Sequence, residues 1–170
     1  MIVKVLGAIC IMCVCAGFGF SLAYKQMKEI YLLDQWIRIL QRMENEIQYR
    51  LRTIPDIFRQ ISNEENGIFR DFLLRTAIEM ENQIQPDVRR CMDVAMCSLS
   101  GAPGSVIKLM QQLSNELGRF EVEGQICGIE RVRLKAEEIR NDLNRDKTKR
   151  IRGYQTLGIC AGAALVIIFI

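Results

Sequence analysis

The chain is uncharged at both ends and charged everywhere between. No Asp, Glu, Lys or Arg occurs from Val5 to Tyr24, and none from Gly153 to Ile170. Twenty residues of helix span about 30 Å and eighteen about 27 Å, close to the roughly 30 Å of a bilayer's hydrocarbon core. A lone segment in lipid satisfies its backbone hydrogen bonds as a helix. The expected organisation is therefore a transmembrane helix over residues 1–24, a helical domain over 25–152 and a second transmembrane helix over 153–170. The first run exceeds the apolar stretch of a secretory leader, roughly 7–15 residues, and its nearest small-residue cleavage candidate, Ala16-Gly17-Phe18-Gly19, sits inside it, so it reads as a retained anchor.

Flanking charge orients this pair. Lys25, Lys28, Arg38 and Arg42 follow the first run, and Arg145, Lys147, Lys149, Arg150 and Arg152 precede the second, whereas only Lys4 lies outside. Basic residues are retained on the cytoplasmic side, so the middle domain is expected in the cytoplasm with short external termini, the chain being a two-pass protein of the cell membrane.

The middle part narrows the function classes by what it lacks. With 23 Lys and Arg against 20 Asp and Glu, and Lys4 set aside, it carries a net charge of +2, which is no nucleic-acid footprint. There is no histidine in the chain, hence no imidazole base, metal ligand or neutral-pH switch. Of seven cysteines, Cys10, Cys13, Cys15 and Cys160 lie in the apolar runs, leaving Cys91, Cys97 and Cys127. Without histidine, and with no Cys-x-x-Cys pair among these three, no zinc set is expected, and an odd number of cysteines suits a reducing compartment better than a disulfide framework.

Periodicity between the runs is helical throughout. Ile30, Leu33, Ile37, Leu40, Ile47 and Leu51 keep spacings of three and four, with Glu44 the one charge on their stripe, and define a long helix continuous with the first run. Thr53 is the expected N-cap of a short second helix, with Pro55 in its first turn; this helix gives out at Asn63-Glu64-Glu65-Asn66-Gly67. A third helix is expected from Ile68 to Asn82, with Phe69, Phe72, Leu73 and Met80 inward. A fourth opens at Pro86, with Val88, Cys91, Ala95 and Leu99 on one face. Ser100-Gly101-Ala102-Pro103-Gly104 separates it from a fifth, which carries Val106, Leu109, Leu113 and Leu117 and ends at Gly118. The last helix bears Val122, Ile126, Ile129, Val132, Ala136, Ile139 and Leu143 inward and runs into the second apolar segment. Its charged residues Glu130, Arg133, Glu137 and Arg140 are read as the outer face. The fold class is all-α: a bundle of about six helices flanked by the two spans.

Little here does chemistry. No phosphate-cradling Gly-rich loop occurs, since Gly101 to Gly104 lacks both the following lysine and a preceding strand, and a Ser or Cys nucleophile has no histidine to activate it. Glu44/Glu46 and Glu121/Glu123 are two residues apart, so on a helix they diverge by about 200° and do not converge on one substrate atom. Glu44 needs a donor or an interface because it falls on the buried stripe; Arg42, Arg50 and Arg52 are the donors within reach in sequence. Gly158 and Gly162 in the second run, and Ala16, Gly17 and Gly19 in the first, are small residues of the kind that let helices associate in lipid, which raises homo-oligomerisation as an expectation. No catalytic, metal or cofactor residue is assigned.

Two stretches say more than their physics. Leu40-Gln41-Arg42-Met43-Glu44-Asn45-Glu46-Ile47-Gln48-Tyr49 ends the first long helix, and Leu117-Gly118-Arg119-Phe120-Glu121-Val122-Glu123-Gly124-Gln125 enters the last. Together with Leu6-Gly7 and the closing Tyr154-Gln155-Thr156-Leu157-Gly158, they resemble the stage III sporulation protein AB family over nearly the whole chain. Arg52-Thr53-Ile54 stands where that family usually has Thr-Pro-Leu, Glu121 where an Asp is typical, and Gly153 where an apolar residue is common. The resemblance implies a part in endospore formation, within an assembly spanning the membranes between mother cell and forespore, at the outer forespore membrane. It also implies a soluble domain like that of the inner-membrane platform proteins of type II secretion and type IV pilus machines, with a secretion-type ATPase and other membrane subunits as partners. Glu44, Tyr49, Leu117, Gly118, Glu121 and Gln125 carry the family-like motifs and are the candidate interface or bundle-junction residues. The alternatives are a stand-alone membrane-anchored adaptor, or an enzyme or small-molecule sensor using the bundle interior.

Overall fold

Helix α1, Ile2–Arg50, runs without a break from the first apolar segment into the charged middle of the chain, as the continuous periodicity requires. The structure, a computed structural model, describes residues 2–50, 52–82, 87–97, 99, 101–117 and 123–145, with the side chains of 1–20, 22 and 23 outside that description. After α1 come α2 (Ile54–Glu64), α3 (Ile68–Glu81), α4 (Val88–Cys97) and α5 (Gly104–Glu116). A sixth helix, α6, covers residues 123–145, and no strand occurs among the described residues. The all-α expectation and its helix order hold. Among the described residues no helix is long and apolar enough to cross a membrane. The expected second span, 153–170, lies outside them, as do most side chains of the first.

The breaks fall where the local chemistry puts them. Thr53 is extended and stands at the N-cap of α2 with Pro55 in the first turn, but its hydroxyl donates to the Asp56 carboxylate rather than accepting from a backbone N–H. Gly67 enters α3 with φ of +68°, a conformation costly for any residue with a Cβ. The C-cap of α5 is Leu117, one residue before the expected glycine: the Leu117 N–H donates to the Leu113 carbonyl. Gly118 lies outside the described residues.

The chain divides into two units, Met1–Tyr31 with Asn141–Ile170, and Leu32–Arg140. In the second, α3 packs on α2, α4 on α3 and α5 on α4. Their apolar faces are those the spacing predicts, with Phe69, Phe72 and Leu73 of α3, Cys91 and Ala95 of α4, Val106, Leu109 and Leu113 of α5, and Ile129, Val132 and Ala136 of α6 all buried. Val88, Leu99, Met80, Ile126, Ile139 and Leu143 are only half-buried, at the rims of those faces.

α1 is buried over a wider arc than its three-and-four stripe suggests. Leu32, Trp36, Ile39 and Met43 join Leu33, Ile37, Leu40 and Ile47 in the core. At 100° per residue these eight span about 160° of the helix, against about 80° for the four of the stripe alone. Trp36, the chain's single tryptophan, is fully buried. Its ring stacks on Phe69 of α3 with centroids 5.2 Å apart and meets the edge of Phe72 at 6.3 Å.

Candidate functional site

A helix buried over so much of its circumference has two polar borders, and different neighbours meet them. On one border of α1, Gln35 donates to the Glu65 carboxylate at 2.7 Å and to the Asn66 carbonyl at 3.2 Å, and Arg42 pairs with Glu64, which ties α1 to the end of α2. On the other border stand Asp34 and Glu44, and α6 supplies their partners. Arg133 Nε lies 3.2 Å from Glu44 Oε1, and Arg140 Nη1 lies 3.2 Å from Asp34 Oδ1.

The Arg133 guanidinium is the hub of this border. Besides Glu44 it donates to Glu137 at 2.9 Å and has Glu130 at 3.8 Å, so three carboxylates surround one cation. The side chains of Arg133 and Glu44 are 19 % and 17 % exposed, so neither is freely solvated. Burial works against the charge of Arg133, but the hydrogen bonds and charges of Glu44 and Glu137 more than offset it and raise its pKa above the ordinary guanidinium value. The arrangement locks the crossing of α1 and α6, since a planar guanidinium fixes the direction of its carboxylates as well as their distance.

Two expectations are corrected here. Glu44 takes its donor from α6, not from Arg42, Arg50 or Arg52: Arg42 is held by Glu64, and Arg50 and Arg52 lie beside Glu46 at 3.4 and 3.7 Å. The charged residues of α6 are not simply an outer face, because Arg133 and Arg140 turn toward α1 while Glu130 remains exposed. Glu44 and Arg133 are 89 residues apart, which puts their pairing beyond local reasoning. One signal was available: Arg133 and Arg140 are seven apart, hence on one side of α6, and Asp34 and Glu44 share one border of α1.

Of the other candidates, Leu117 is fully buried at the end of α5, Gln125 is half-buried near the start of α6, and Tyr49 is 75 % exposed on α1. Gly118 and Glu121 lie outside the described residues. The close packing of α5 on α6 has its own marker, Gly128. A Cβ added there would stand 2.7 Å from Glu116 Cβ, so only glycine permits this approach. Beside it opens a groove of about 340 Å³ lined by Gln112, Asn115, Glu116, Arg131, Val132 and Lys135. Its one carboxylate, Glu116, is paired with Arg131 at 3.2 Å, so no two acids converge in it. Among the described residues no three Cys, Asp or Glu side chains are grouped to hold a metal ion. Burial above all, then the charges of Glu79 and Asp87, pushes the Cys91 thiol up, the opposite of what a nucleophile requires.

The comparisons with known proteins agree with this helical body. The family model for stage III sporulation protein AB matches residues 4–170. A solved structure titled stage III sporulation protein AB (SpoIIIAB) superposes with a TM-score of 0.63 at 16 % identity, over 72 % of this chain and 98 % of that one. At that identity the likeness speaks for the fold alone. No curated protein matches the chain.

Proposed function

Because the chain belongs to the stage III sporulation protein AB family, we propose that it is a non-enzymatic membrane platform subunit of a sporulation-specific, secretion-like channel complex between mother cell and forespore. In this reading the two uncharged ends are transmembrane helices and the helical domain faces the mother-cell cytoplasm, where it meets a secretion-type ATPase and the other membrane subunits. The observation that carries the reading is the span of the family match, residues 4–170, which takes in both uncharged runs as well as the bundle. The chemistry of the bundle supports it: Arg133, Arg140, Glu44 and Asp34 are engaged in joining α1 to α6. Such a body transmits position rather than turning over a substrate, because rigid helices joined by directional pairs move as one.

The test is co-purification from sporulating cells, in detergent and after cross-linking, with the ATPase and the other membrane subunits. Recovery of those subunits with the native chain is expected. A chain that cross-links to none of them, and behaves identically in cells lacking the rest of the assembly, is the stand-alone adaptor instead. Glu44→Ala in the host separates function from folding: a chain that accumulates normally while spore formation drops shows that the α1–α6 junction at Glu44 matters for more than stability.

A further inference from the structure

Three of the exposed large apolar side chains described on α1 cluster outside the packed unit, from the end of the first uncharged run onward. Tyr24, Met27 and Tyr31 are 70 %, 51 % and 62 % exposed. Their spacing of three and four residues puts them within about 60° of one another on the helix. Lys25 and Lys28 are exposed on the same turns, and neither has an ion-pair partner among the described residues.

We propose that this segment, Tyr24 to Tyr31, is a collar seated in the headgroup layer of an anionic membrane. The inference rests on the reading of the first uncharged run as a transmembrane helix. If that run leaves the hydrocarbon near Tyr24, the Cα of Tyr31 stands about 10 Å further along the axis. Side chains on a helix lean toward its N-terminus by about one turn, roughly 5 Å, which here means back toward the bilayer. The Tyr31 ring therefore falls about 5 Å beyond the hydrocarbon edge, inside an interfacial layer of roughly 5–7 Å, while Met27 reaches the edge itself. Tyrosine suits that layer because its ring is apolar and its hydroxyl is wet. The two lysines select the lipid: ammonium groups at this height are attracted to phosphate-bearing, net anionic headgroups. A stripe waiting for a protein helix would need apolar side chains at this spacing but has no use for two cations beside them that lack a carboxylate among the described residues.

The full chain in phosphatidylcholine vesicles, with and without phosphatidylglycerol, provides the test. Tyr31→Trp is compared with Tyr49→Trp, eighteen residues further along α1, using lipids brominated close to the headgroup. Trp36 contributes equally to both. Most of the emission added by Tyr31→Trp is expected to be quenched, and none of that added by Tyr49→Trp. The native chain should unfold at a higher temperature when phosphatidylglycerol is present, and Lys25→Gln with Lys28→Gln should reduce that shift. An unquenched Tyr31→Trp in a chain that resists alkaline extraction overturns the collar and leaves the anchor intact. Disulfide formation between copies carrying Tyr31→Cys makes the stripe a subunit seam and likewise overturns it, and an undiminished shift in the lysine variant removes the anionic selectivity. Release of the chain by alkaline extraction sinks the anchor reading and the collar with it.

Discussion

The two sides of α1 are held by different forces. Toward α3, Trp36 stacks on Phe69 and meets Phe72 edge-on, with no exposure at all. Toward α6, half-wet ion pairs at Asp34 and Glu44 do the joining. The aromatic side contributes stability, because burial of large apolar side chains is favourable in proportion to area and needs no particular geometry. The ionic side contributes alignment, because partly exposed pairs are worth little net free energy but are strongly directional. A scaffold benefits from that division: one side keeps α1 folded into the unit and the other sets where α6 lies.

The contrast breaks most visibly at Trp36. Trp36→Ala should cost about 3–5 kcal/mol, the range for emptying an aromatic core position, seen as a large drop in the unfolding midpoint of the detergent-solubilised chain. A loss no greater than that of the ion-pair variants would erase the distinction between the two sides.

Arg133→Ala comes next, at about 2–3 kcal/mol, because it leaves the partly buried Glu44 together with Glu137 and Glu130 around a missing cation. Glu44→Ala should cost less, about 1 kcal/mol, since Arg133 keeps Glu137. A double-mutant cycle on Glu44 and Arg133 should give a coupling that shrinks in high salt, while the Trp36→Ala loss does not. Equal losses for the two single variants would mean that the hub is not where the geometry places it.

Gly128 sharpens the same point, because the position of α6 is set by steric contact as well as by charge. Alanine in a helix interior gains about 1 kcal/mol over glycine, but a clash with a Cβ, which is fixed to the backbone, costs about 1–3 kcal/mol. Gly128→Ala should therefore be mildly destabilising. Adding Glu116→Gly should relieve the clash and Glu116→Ala should relieve it far less, judged by the shift each makes in the Gly128→Ala midpoint.

The smallest effect is at Cys91. Its folded-state pKa is raised, so at alkaline pH the folded chain keeps a proton that the unfolded chain has lost. Stability is then full below about pH 8.5, the ordinary thiol value, and falls as pH rises from there toward the folded value. Cys91→Ala should flatten that alkaline slope. Peptide-resolved alkylation should modify the exposed Cys97 and Cys127 well before Cys91.

Much of this was written locally. The helices α2 to α5 and their breaks follow from apolar spacing plus Pro55, Gly67, Gly101 and Pro103, features whose effects reach only a few residues. The pairing of Glu44 did not follow, nor did the inward turn of Arg133 and Arg140. Periodicity marks the apolar face of a helix but not which neighbour lies along its border, so the nearby arginines of α1 were the natural candidates. Trp36 was missed for a related reason: a single narrow stripe describes a helix packed on one neighbour, and the buried arc of α1 is about twice as wide as that stripe.

By itself the sequence determined an all-helical chain, uncharged at each end, with its breaks and its apolar faces in place and no histidine for acid–base work. Those properties depend on the residues within a turn or two of each position. Tertiary structure alone decided how wide an arc of α1 is buried, that Arg133 answers Glu44, and that Gly128 must be small against Glu116. These depend on which helices are brought side by side, and side-chain spacing along one helix carries no record of its neighbours.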